Sequence, residues 1–178
     1  MEKHITHVIF DLDGLLLDTE RIYTLATDAV LSNFGHKFCY AVKETVMGRK
    51  PLEACQILID HYQLPVTAEE FSDLLNKHLF EMFPNSELMP GAEGLIRHLA
   101  ANSIPMAICT GSNHQLYALK TSHHQNLFSL MNHVVCTPSD PDVTHGKPHP
   151  DCFEVTARKF SSPPSSFDQV GSSFKVLF

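Results

Sequence analysis

The sequence contains no apolar run near the roughly 20 residues that a membrane span requires. Its first seven residues are polar and lead straight into a strand-like segment, so they do not read as a signal peptide. Basic residues are few and scattered. Lys and Arg number 13 against 20 Asp and Glu, for a formal net charge of -7. That balance argues against a large nucleic-acid footprint, which requires clustered cations, and suits a protein acting on small molecules. No C-x-x-C pair occurs. The five cysteines, Cys39, Cys55, Cys109, Cys136 and Cys152, are odd in number and widely spaced. They are expected to be buried free thiols in a reducing compartment, which points to a cytoplasmic location, rather than a disulfide framework or zinc site. Among the 12 histidines, His123-His124 and His145 with His149 lack partner ligands at a recognisable spacing and read as solvent-facing. Internal repeats are absent, and low complexity is confined to residues 161–166. The 43% hydrophobic content is enough for one compact domain, or one domain with an insert.

Apolar runs define the organisation. Residues 7–10 form a short run that stops at Asp11 and reads as a buried strand with polar residues at its C-terminal end. Similar runs cover residues 104–109, 133–136 and 174–178. Amphipathic helices are expected over 91–101, with Ala92, Leu95, Ile96 and Leu99 on one face, and over 150–160, with Phe153, Ala157 and Phe160. This alternation predicts an α/β fold with a Rossmann-like parallel sheet. The stretch between the first two strands is too long for one crossover and shows only helical patterns. Ile22, Leu25, Ala26, Ala29 and Val30 make one stripe. Pro51 opens a second helix with Leu52, Cys55, Leu58 and Ile59. Thr67 and Glu70 form a capping-box pattern ahead of Phe71, Leu74, Leu75, Leu79, Met82 and Phe83. Residues 19–85 are therefore expected to form an all-helical insert in a discontinuous core made of 1–18 and 86–178. Asp18 and Thr19 read as an N-cap for its first helix.

The informative segment is Asp11-Leu12-Asp13-Gly14. Two carboxylates one residue apart leave the end of a buried strand, and in extended backbone they would point the same way. Gly14 permits a sharp turn. Such folds bind ligands at the ends of their parallel strands.

Asp11-Leu12-Asp13-Gly14, Thr110 at the end of the second strand and Lys147 in Gly146-Lys147-Pro148 resemble, in order and spacing, signatures of the haloacid dehalogenase-like (HAD) hydrolase superfamily. The segments 11–20, 46–48, 88–93 and 145–148 are most similar to its pseudouridine-5′-phosphatase group. The resemblance implies a helical cap over residues 19–85 and a phosphomonoesterase. Its substrate would be a small phosphorylated metabolite, pseudouridine 5′-phosphate or a similar nucleotide or sugar phosphate. It implies Asp11 as nucleophile and Asp13 as general acid/base. Asp11 and the Asp13 main-chain carbonyl would hold Mg²⁺, and Thr110, Gly111 and Lys147 would cradle phosphate. Arg49 and Lys50, between two cap helices, would contact substrate or form a solvated basic loop. No nucleic-acid or membrane partner is expected, and the chain is expected to be a monomer.

The family's fourth signature, an acidic pair after the fourth strand, has no counterpart in these 178 residues. The expectation is a C-terminally truncated core with a weakened Mg²⁺ site and little activity. The alternatives are a non-catalytic homologue that binds a phospho-ligand or protein partner, and a sugar-phosphate mutase. The fourth strand is expected at a sheet edge beside the first.

Overall fold

A computed structural model of the protein describes residues 5–164 together with the backbone of Val176 and Leu177. The chain divides into two compact units, one made of Met1–Asp18 with Asn85–Phe178, the other of Thr19–Pro84.

The first unit is built on a sheet of β1 (Val8–Phe10), β2 (Met106–Thr110), β3 (His133–Cys136) and β4 (Val176–Leu177) in the order β3-β2-β1-β4. β1, β2 and β3 run parallel, with Phe10 opposite Ile108 and Thr110 opposite Cys136. Every residue of β1 and β2 is buried, so the alternating side chains must fill a core on each face. Val8, Phe10, Met106 and Ile108 pack with Leu12, Leu16, Ile96, Leu127 and Phe128. Ile9, Ala107 and Cys109 pack with Cys152, Ala157 and Phe160. Continuous apolar strands are the sequence form of a sheet covered on both sides.

β4 lies at the edge beside β1, as the sequence suggests, but it is antiparallel. It comprises two paired residues, and the rest of the expected strand over 174–178 lies outside the described residues. Helix α5 (Ala92–Ala101) follows Gly91, whose φ of 86° is the left-handed conformation that glycine adopts without strain. Ile96 is buried in its stripe, whereas Leu95 is exposed, against expectation, because it sits on the flank where the helix surface turns to solvent. The connection from β2 to β3 contains α6 (His114–Lys120) and α7 (Gln125–Phe128), and α8 (Asp151–Arg158) follows β3.

The second unit contains α1 (Thr19–Ser32), α2 (Tyr40–Val46), α3 (Pro51–Tyr62) and α4 (Ala68–Met82) around Val30, Leu31, Val42, Cys55, Leu58 and Phe71. The capping box is formed. The Glu70 amide donates to the Thr67 hydroxyl at 3.2 Å, and the Thr67 amide donates to the Glu70 carboxylate at 2.8 Å. Helix α2 carries no sequence signal of its own, because only Val42 of its seven residues is buried. Leu25 and Leu52, placed in apolar stripes by periodicity, are about half exposed at the stripe margins. Cys39 is exposed rather than buried, since it precedes the short helix α2. Thr19 does not cap α1. It is the first helical residue, its side chain is buried, and its hydroxyl has no hydrogen-bond partner among the described residues. No helix among the described residues is long and apolar enough to cross a membrane.

One pH response follows from the first unit. His133 is half-buried, its Nε2 lies 2.8 Å from the Thr156 carbonyl, and its ring packs edge-on against Phe160. Burial lowers its pKa below the usual 6.5, and the nearby Lys159 ammonium works in the same direction. A histidine depressed in the folded state contributes stability that is complete above its unfolded value. That contribution is lost as pH falls from about 6.5 through the folded value. The melting temperature is expected to decline over this window, and His133→Gln to flatten the decline. Thermal melts of both proteins between pH 7.5 and about 5 check this.

Candidate active site

The turn that follows β1 is built by the leucines around the two aspartates. Leu12, Leu16 and Leu17 are fully buried. The Leu12 carbonyl accepts the amides of Leu16 at 3.0 Å and Leu17 at 3.1 Å, and the Gly14 amide donates to the Leu17 carbonyl at 2.8 Å. Gly14 closes this curl with φ 70°. The Asp18 amide donates to the Glu87 carbonyl and the Met89 amide to the Leu16 carbonyl, which ties the turn to the segment before α5. The apolar residues thus anchor the loop, and the polar ones emerge at the strand ends.

Asp11 is 6% exposed. Its Oδ1 accepts the Leu12 amide and the Lys147 ammonium, both at 2.8 Å. Lys147 Nζ also donates to the Cys109 carbonyl at 2.8 Å and lies 5.0 Å from the centre of the Phe153 ring. Lys147 reaches this point from a loop that Asp151 holds. The Asp151 Oδ2 accepts the amides of Thr144 at 2.7 Å and His145 at 2.8 Å. Those two backbone donors, His145 first, lower the Asp151 pKa below the usual carboxylate value.

Asp13 is engaged at both oxygens. Lys120 Nζ donates to Oδ1 at 2.6 Å. The hydroxyls of Thr110 and Ser112 donate to Oδ2 at 3.3 Å and 3.2 Å. Lys120 also donates to the Ser112 hydroxyl at 2.9 Å, and the Ser112 amide donates to Thr110 Oγ1 at 3.0 Å. Lys120 is only 2% exposed, so this ammonium exchanges water entirely for protein partners. Under the site, the hydrogen bond with Cys152 and then burial push the Cys109 thiol well above the ordinary range, leaving it an unreactive core residue.

The structure therefore brings Asp11, Asp13, Thr110 and Lys147 together, with Gly111 between Thr110 and Ser112. A Cβ at Gly111 would meet nothing within 4 Å, so its flank is open space. Lys120 and Ser112 were missed by sequence reading. A lysine closing a seven-residue helix looks like a solvated C-terminal cation, and only the adjacency of Ser112 to Thr110 hinted at the second. Arg49 and Lys50 lie in the helical unit. Arg49 is exposed and pairs with Glu53 at 3.0 Å, and Lys50 precedes α3.

Asp11 and Asp13 offer oxygen donors only, the chemistry of a hard cation. Among the described residues no third His, Cys, Asp or Glu completes a three-ligand group with them. One carboxylate, that of Asp11, with the Asp13 main-chain carbonyl still fits Mg²⁺, which commonly takes one or two carboxylates from protein and fills its octahedron with water and substrate oxygens. The three-ligand group found among the described residues is His145, His149 and Asp151. His145 and His149 are exposed, as expected, and the fold of the loop brings the Asp151 carboxylate beside them.

The family model for haloacid dehalogenase-like hydrolases matches residues 5–170. The chain belongs to this family. It is of the HAD phosphatase type, as two named relatives indicate. It is 44% identical over 166 residues to the Drosophila melanogaster protein named probable pseudouridine-5′-phosphatase, covering 93% of this chain and 72% of the relative. It is 46% identical over 168 residues to (DL)-glycerol-3-phosphatase 2 of Arabidopsis thaliana, covering 93% and 70%. Among solved structures, the HAD hydrolase YfnB from Bacillus subtilis, bound to magnesium, superposes with a TM-score of 0.72 at 16% identity, covering 92% of this chain and 77% of that one. That likeness concerns the HAD fold alone.

Proposed function

We propose that this HAD phosphatase hydrolyses a small phosphomonoester through a phospho-aspartate on Asp11. The observation that carries the reading is the ion pair of Lys147 with Asp11 at 2.8 Å, beside an Asp13 carboxylate held from three sides. Phosphoryl transfer needs an aligned nucleophile and positive charge around the equatorial oxygens more than it needs covalent machinery. An Asp11 oxygen attacks phosphorus, the bond to the leaving oxygen breaks, and Asp13, carrying a proton in place of its ion pair with Lys120, gives that proton to the leaving oxygen. Water then attacks phosphorus, its proton passes to Asp13, and the bond to Asp11 breaks to release phosphate. Lys147 neutralises charge on Asp11 and on the phosphoryl oxygens. The Thr110 hydroxyl, turned from Asp13 Oδ2 toward phosphate, and the main-chain amide of Gly111 supply donors next to the open space over Gly111. The Asp11 carboxylate and the Asp13 main-chain carbonyl would hold Mg²⁺. When bound, the ion supplies additional positive charge to the phosphoryl oxygens.

The name of the 44% identical relative, probable pseudouridine-5′-phosphatase, favours pseudouridine 5′-phosphate as the substrate, and that of the 46% identical relative adds glycerol 3-phosphate to the panel. Arg49 and Lys50 are the proposed substrate contacts in the helical unit. Phosphate release from a panel of nucleotide, sugar and glycerol phosphates, with Mg²⁺ and after its chelation, tests the reading. Magnesium-dependent turnover fastest on pseudouridine 5′-phosphate is expected, with KM raised by Arg49→Ala. Equal turnover after chelation contradicts the magnesium role, and a preference for another ester replaces the substrate.

A further inference from the structure

We propose that His145, His149 and Asp151 form a binding site for a borderline divalent transition ion, represented by Zn²⁺, on the loop that carries Lys147. One ligand atom from each residue lies within 4.8 Å of the others. The two imidazole rings sit 4.6 Å apart at 33° to one another, and both side chains are exposed to incoming ions. Asp151 is already oriented, because one of its oxygens holds the Thr144 and His145 amides. A carboxylate fixed in this way presents its second oxygen at little entropic cost.

Zinc binds imidazole nitrogen and carboxylate oxygen at about 2.0–2.2 Å, so ligand atoms around one ion lie roughly 3.5 Å apart. The cluster must contract by about an ångström, a rotamer adjustment that exposed histidines can make. The cost is small. His149 Nδ1 accepts the Asp151 amide at 3.2 Å, a long hydrogen bond that the ion would replace or displace. Three protein ligands with remaining positions open to water are a common zinc arrangement.

The donor set also separates this site from the one at Asp11 and Asp13. Two imidazoles suit Zn²⁺, Ni²⁺ or Cu²⁺, whereas Mg²⁺ prefers oxygen alone. Gly146, Lys147 and Pro148 lie between the two histidines. An ion held by His145 and His149 would therefore clamp both ends of the segment that delivers the Lys147 ammonium to Asp11.

Zinc titration by calorimetry, in excess Mg²⁺, compares the wild-type protein with His145→Ala, His149→Ala and Asp11→Asn. The expected result is one zinc per chain whose affinity drops at least about 10-fold in each histidine variant and is unchanged in Asp11→Asn. Unaltered affinity in both histidine variants, or loss of the zinc in Asp11→Asn or on adding Mg²⁺, overturns the proposal. Paramagnetic broadening of backbone amide signals by Ni²⁺ needs no variant and provides the second measurement. Broadening centred on residues 144–151 supports the site, and broadening centred elsewhere overturns it.

Discussion

Asp11→Asn is expected to lower kcat by about 10⁴-fold or more while the protein stays folded. The amide keeps the shape of the carboxylate and can still accept the Leu12 amide and the Lys147 ammonium, both now at 2.8 Å. It cannot serve as the attacking oxyanion. A 10⁴-fold loss corresponds to roughly 5.5 kcal/mol of transition-state stabilisation, the scale expected when a reacting group is removed. The thermal effect is expected to be small by comparison, because Lys147 retains the Cys109 carbonyl and is 27% exposed on its side chain. Phosphate release and melting temperature, measured on the same preparations, separate the two consequences. A variant that melts like wild type and keeps a tenth of its turnover would remove Asp11 from the nucleophile role.

The second large effect concerns the pair that sequence reading missed. Lys120 is 2% exposed and Asp13 21%, so their neutralisation is not symmetric. Asp13→Asn leaves an ammonium almost sealed from water against a neutral amide. Removing one partner of a buried ion pair costs about 3–5 kcal/mol. Lys120→Met leaves a carboxylate that still reaches solvent and still accepts the Thr110 and Ser112 hydroxyls. Asp13→Asn is therefore expected to be the more destabilising single change, with a fall in melting temperature of roughly 6–20 °C. The double variant Asp13→Asn with Lys120→Met is expected to melt higher than Asp13→Asn alone, because the buried Lys120 charge is then gone. Urea or thermal unfolding of the four proteins closes the cycle. Additive losses would show that Lys120 and Asp13 do not act as a pair. Both single variants are also expected to lose turnover, by about 10²–10⁴-fold for Asp13→Asn.

What could be read from the sequence followed from where apolar runs stop. Residues 7–10 end at Asp11, and residues 104–109 end at Thr110, so the strand ends and the polar residues they deliver were legible together. The capping box at Thr67 and Glu70 was legible because both partners lie within one turn. Lys147 was legible only through resemblance, since a lysine before proline carries no periodic signal. Lys120 was not legible at all. Its meaning depends on Asp13, 107 positions away, and on an exposure of only 2% that a helix-terminal lysine does not advertise. The exposed positions of Leu25, Leu52 and Leu95 mark a limit of periodicity, which gives a stripe's direction but not its width. The approach of the Asp151 carboxylate to His145 and His149 and the antiparallel direction of β4 depend on loop and edge geometry, in which local spacing has little say.

The phosphoryl group is proposed to pass through Asp11. A rapid acid quench of the protein with a ³²P-labelled phosphomonoester, in the presence of Mg²⁺, tests it directly. Label that remains on the protein, is released by hydroxylamine as an acyl phosphate must be, maps to the peptide containing Asp11 and is absent from Asp11→Asn is the predicted result. Phosphate released from substrate by both wild type and Asp11→Asn, with no label on either protein, would contradict it.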